Sequence, residues 1–107
     1  MGLKLKNEYL SFHRLELGII LKTYGQGVAT GKWKDYAIDI CQGVAVFSIY
    51  RNASENPEYQ IIKEPKLRNK QGQYRIIMQN GKVIKRGHDL EQVLTILNKF
   101  KPKLKLV

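Results

Sequence analysis

The sequence predicts a two-layer α+β domain: an antiparallel sheet of four to five strands, made of two hairpins, with an N-terminal and a C-terminal helix packed on one face. Three observations carry this. Apolar residues recur at helical spacing near both ends of the 107-residue chain; between them, from Asp35 onward, the apolar period falls to two; and turn signals at Gln42-Gly43 and Asn80-Gly81 divide the alternating region into hairpins. Short consecutive strands flanked by helices, in the order α-β-β-β-β-β-α, favour one sheet covered on one side.

The first helix is expected from Ser11, a residue type suited to an N-cap, to about Thr30, with Gly31 ending it. Leu17, Leu21, Tyr24 and Val28 share one helical face, widened by Leu15, Ile19 and Ile20, and that face is expected to be buried. Gly18, Gly25 and Gly27 weaken the helix by up to about 1 kcal/mol each relative to Ala, so packing must hold it. From Asp35 the pattern is that of a hairpin. A two-residue turn at Gln42-Gly43 pairs Cys41 with Val44 and places Tyr36, Ile38, Ile40, Ala45, Phe47 and Ile49 on one apolar face. The opposite face, with Cys41, Val44, Val46 and Tyr50, is mixed.

Residues 58 to 64 form a third, shorter strand closed by Pro65. Residues 66 to 72, KLRNKQG, are expected to be a flexible basic segment. Residues 73 to 79 and 82 to 86 make the second hairpin around Asn80-Gly81, a favoured type I′ pair. Such a turn would set Gln79 against Lys82, Ile77 against Ile84 and Arg75 against Arg86. Asp89 and Gln92 stand at capping-box spacing before the last helix, whose stripe is Leu90, Val93, Leu94, Leu97 and Phe100; Pro102 stops it. The domain is thus expected over 11–101, with 1–10 a loose lead-in and 102–107 a basic tail.

Charge is distributed unevenly. From Lys63 to Val107 there are twelve Lys/Arg against Glu64, Asp89 and Glu91, whereas the first 62 residues carry seven basic and six acidic side chains. Concentrated positive charge attracts polyanions. The candidate nucleic-acid-binding residues are Lys66, Arg68 and Lys70 on the loop, with Arg75, Lys82 and Arg86 on the hairpin face, where they would meet phosphates without reading sequence. Trp33, Tyr50, Tyr59 and Tyr74 are the aromatics available for base stacking, a thin supply. The partners expected are therefore DNA or RNA, or a second copy of the chain meeting the mixed face of the first hairpin.

Enzyme chemistry has little to build on. There are only His13 and His88, the single Cys41 lies on an alternating strand, and no spacing matches a metal site, a P-loop or a dinucleotide fingerprint. No catalytic residue, cofactor, metal or small-molecule ligand is implied. A lone cysteine and the lack of a long apolar run suggest a cytoplasmic protein with no membrane partner.

Four stretches taken together, GKWKDYAID at 31–39, AVFSIYRNASENPEYQI at 45–61, PKLRNKQGQYRI at 65–76 and KRGHDL at 85–90, resemble a family of short proteins of unknown function found mainly in alphaproteobacteria. The resemblance spans roughly Leu15 to Leu97. It implies a bacterial cytosolic protein and brings no activity, ligand or catalytic residue with it.

Overall fold

The change of apolar period at Asp35 marks the boundary between the helix and the sheet. The computed structural model describes residues 11–52 and 56–98. Helix α1 spans Arg14–Ala29; strands β1 Asp35–Cys41, β2 Val44–Tyr50, β3 Tyr59–Lys63, β4 Tyr74–Met78 and β5 Val83–Gly87 follow; helix α2 spans Leu90–Asn98. The strands pair antiparallel in chain order, β1-β2-β3-β4-β5, leaving β1 and β5 as edges. Both helices pack on one face, where Ile20, Leu90, Val93, Leu94 and Leu97 meet Ala45, Phe47, Ile49, Ile61 and Ile76. This is the α+β architecture the sequence predicts. The expected lead-in at 1–10, Phe100 and the tail at 102–107 lie outside the described residues.

The first hairpin has the expected register, Cys41 opposite Val44 and Ile38 opposite Phe47. Gln42 and Gly43 both have positive φ, 44° and 86°, as a type I′ turn requires. The second hairpin differs. At its tip only Gly81 has positive φ; the Gly81 N–H donates to Met78 O at 2.8 Å and the Met78 N–H to Lys82 O at 2.9 Å, giving a three-residue loop. Asn80 Oδ1 accepts from the Lys82 N–H at 2.9 Å, and this local bond favours the longer turn. Register shifts by one beside the tip, so Ile77 faces Val83 rather than Ile84, and a bulge at Ile76/Ile77 restores the Arg75–Arg86 pairing.

Two further expectations are corrected. Helix α1 begins at Arg14, not Ser11, because Glu16 in its first turn accepts the His13 N–H at 2.7 Å and fixes the N-terminus there. Its buried stripe is Glu16, Ile20, Thr23 and Gly27, while Leu15, Leu21 and Val28 are exposed. The phase is displaced because the sheet-facing positions hold a paired carboxylate and a glycine covered by the Trp33 ring, neither of which counts as apolar. The 66–72 segment is also not the flexible basic segment expected. A 3-10 turn at Pro65–Leu67 and bonds from the Arg68, Lys70 and Gly72 amides to Pro65 and Leu67 carbonyls fold it into an ordered loop.

Candidate functional site

The six predicted cations occupy different parts of the fold. Arg75 and Arg86 face one another on the side of the sheet away from the helices, and the like-charge conflict has a resolution within the chain: Arg75 Nη1 donates to Glu64 Oε1 at 2.8 Å. By register Lys82 belongs with Met78 on the opposite face, at the far end of the hairpin. Lys66, Arg68 and Lys70 are exposed on the ordered loop. Close approach of Gly72 to the Gly87 backbone holds that loop at the Arg86 end of the sheet, where Arg68 lines a cleft on the helix side. The cations therefore do not form one face. The aromatics give them little help, because Trp33, Tyr59 and Tyr74 are buried and Tyr50 is half-buried at the end of β2.

Sequence reasoning missed the buried polar cluster beneath that cleft. Lys63 Nζ donates to Glu16 Oε1 at 2.9 Å and to the Ser11 carbonyl at 3.1 Å, and the Tyr74 hydroxyl donates to Glu16 Oε2. A signal existed: the alternation Tyr59, Ile61, Lys63 puts this lysine on the core face, and Glu16 lies four residues before Ile20. Burial by itself raises the Glu16 pKa, but the Tyr74 hydroxyl, the His13 N–H and Lys63 more than offset this and hold the carboxyl below its ordinary value. Burial, followed by the bond to Glu16, drives the Tyr74 phenol well above the usual range. The cleft of about 430 Å³ beside them is lined by His13, Pro65, Arg68 and Gln73. Every member of the cluster is engaged by another member or by backbone, so its evident role is to clamp the start of α1 onto β3 and β4.

At its other end α1 crosses to β1 and β2. Tyr24 packs edge-on against Tyr36 and Phe47 with centroids 5.1 and 6.1 Å apart, and Tyr36 stacks on Phe47 at 4.9 Å. Beyond Tyr24 the cover stops. On the helix-side face of edge strand β1, Tyr36, Ile38 and Ile40 are 42, 43 and 50% exposed, and Leu21 and Val28, on the same flank of α1 as Tyr24, are 39 and 45% exposed. The opposite face of the first hairpin, expected to be the contact surface, is less available to an apolar partner: Val46 is buried, Val44 and Tyr50 are half-buried, and the exposed positions are Cys41 and the charged Asp35 and Asp39. Among the described residues no group of His, Cys, Asp and Glu is arranged to hold a metal ion, and no helix is long and apolar enough to cross a membrane.

Residues 10–94 match the family described as "Protein of unknown function (DUF2794)". The chain belongs to DUF2794. The matched region includes α1, all five strands and the first half of α2, so the clamp and the uncovered edge both lie within the DUF2794 domain. No curated protein and no solved structure gives a significant match.

Proposed function

We propose that this DUF2794 domain is a non-enzymatic protein-interaction module that docks its partner along β1 and the adjoining flank of α1. The observation supporting this is the contrast between the two sheet edges. β5 has the devices that keep an edge strand single: a bulge, Lys85 in the strand and Lys82 beside it. β1 has none on its helix-side face. Seven residues run without a bulge and alternate Tyr36, Ile38 and Ile40 toward an uncovered surface. Strand addition there would supply main-chain hydrogen bonds for affinity and apolar side-chain contacts for selectivity. A photoreactive phenylalanine analogue at position 38, with position 85 as control, tests the reading in the native host. Adducts at 38 and none at 85 are expected; no adduct of any kind at 38 contradicts it.

Polyanion binding at the 66–72 loop is the second reading, favoured by three exposed cations, Lys66, Arg68 and Lys70, on a loop with a defined backbone. Arg86 would add to it, and Arg75, already paired with Glu64, less so. Titrating labelled DNA and RNA against salt tests this. The expected slope corresponds to three or so phosphates, abolished by Lys66→Glu/Arg68→Glu/Lys70→Glu, and no binding at low salt contradicts it.

A further inference from the structure

We infer that the partner of the β1 edge is a second copy of this chain, paired antiparallel to the first about a two-fold axis through Ile38; the inference rests on β1 being the interaction surface. Backbone polarity comes first. The two-residue turn makes Cys41 and Val44 a hydrogen-bonded pair, and the alternation along an antiparallel ladder then turns the N–H and C=O groups of Tyr36, Ile38 and Ile40 away from β2. The Tyr36 N–H agrees, since it donates to its neighbour Asp35 Oδ1 at 2.8 Å rather than to β2. The residues that offer unpaired main-chain groups are thus the same three that offer apolar side chains.

Charge then selects the register. Sliding two copies of Asp35–Cys41 past one another with the apolar residues on a common face leaves three well-overlapped alignments. Centring on Ala37 sets Asp35 opposite Asp39, and centring on Asp39 sets that residue opposite itself, both unfavourable. Centring on Ile38 sets Asp35 opposite Cys41, Asp39 opposite Ala37, Tyr36 opposite Ile40 and Ile38 opposite its own copy. No like charges face each other, all seven residues pair, and the Tyr36 amide exchanges its exposed Asp35 bond for the Ile40 carbonyl of the second copy. A two-fold contact of this kind closes, whereas pairing β1 with β5 would propagate without end.

The surface available is sufficient. Tyr36, Ile38, Ile40, Leu21 and Val28 together expose roughly 400 Å² per copy, so a symmetric pair removes about 800 Å² of side chain before the strand backbones are counted, close to the ~1,000 Å² of a specific interface. The result is a ten-stranded continuous sheet with an α1 helix on either side of the seam. It also buries Leu21 and Val28, which belong to the apolar stripe of α1 yet are left open within one chain.

Sedimentation of the purified full chain, with two variants, tests this. The expected result is a closed dimer at micromolar concentration, weakened at least ~100-fold by Ile38→Lys, because the two-fold places both introduced charges at one point. A second variant guards against misfolding: in a Cys41→Ser background, Ile38→Cys should oxidise to an interchain disulfide, since facing Cα atoms about 5.5 Å apart suit the bond, whereas Lys85→Cys should not. Three results overturn the inference: a monomer at every concentration, an open-ended assembly, or a dimer indifferent to Ile38→Lys in which the Ile38→Cys variant forms no crosslink. If the chain is monomeric and position 38 still captures a different protein in the cell, the second-copy inference fails while the wider interaction reading stands.

Discussion

Lys63 and Glu16, 47 residues apart in sequence, meet at 2.9 Å with both side chains withdrawn from solvent. Removing one partner strands the other. Glu16→Ala is therefore expected to destabilise the domain by ~3 kcal/mol or more, in part because the same carboxylate caps the His13 N–H. Replacing both with methionine should recover only the ion-pair share of that loss, since apolar residues of similar size need no counter-charge while the His13 N–H and the Tyr74 hydroxyl still lose their acceptor. Urea unfolding of the two single variants and the double variant measures the coupling.

The same cluster sets limits to stability on both sides of neutrality. The Glu16 carboxyl has a lowered folded pKa, so its contribution is present above the unfolded value of about 4.3 and is lost as pH falls through the folded value. The Tyr74 phenol is raised, so its contribution is complete below its ordinary value of about 10 and disappears as pH climbs through the folded one. Thermal midpoints should form a plateau that falls at both ends. Tyr74→Phe should flatten the alkaline side and start the acid loss at higher pH, because Glu16 loses the hydroxyl that helps keep it ionised. Circular dichroism melts across pH, compared between wild type and this variant, provide the check.

Two glycines of α1 should respond in opposite directions. A methyl group at Gly27 would come within 2.0 Å of the Trp33 ring, while nothing lies within 4 Å of one at Gly25. Gly27→Ala is expected to cost ~2 kcal/mol or more and to shift Trp33 fluorescence, since the packed ring must move. Gly25→Ala should stabilise by up to ~1 kcal/mol by restoring helix propensity. Equal effects at both sites, read by urea melts with fluorescence detection, would contradict the close contact of helix and ring.

Glu64 relieves the repulsion between Arg75 and Arg86 rather than adding a strong bond of its own. Glu64→Gln should cost no more than ~1 kcal/mol, as expected for a partly exposed pair, and adding Arg86→Gln should cancel most of that cost. A double-mutant cycle in urea reports the coupling, and additive losses would contradict it.

The fold was legible where a local rule sufficed. The Gln42-Gly43 turn gave the correct register because two positive-φ residues and unbroken alternation on either side leave one pairing. Asn80-Gly81 marked a turn but not its length, which the Asn80 side chain decides by bonding the Lys82 amide. The stripe of α1 was misphased because a buried Glu and a buried Gly look polar or neutral in sequence while serving as core contacts. The candidate site was less legible. A count of cations does not show that Glu64 occupies Arg75 or that Lys82 turns to the other face, since both depend on pairing across strands. The uncovered edge was invisible for a related reason: Tyr36, Ile38 and Ile40 read as core residues, and only the tilt of α1 from Lys63 toward Tyr36 shows that its cover ends before β1.

Amide exchange at Ile38 tests most directly whether that edge is paired. Among the described residues of one chain no strand lies on that side of its N–H; across the two-fold it donates to its own copy. Protection at Ile38 in concentrated protein, lost on dilution while β3 stays protected, is the expected result. Exchange at Ile38 at the rate of an unstructured amide at every concentration would contradict the pairing.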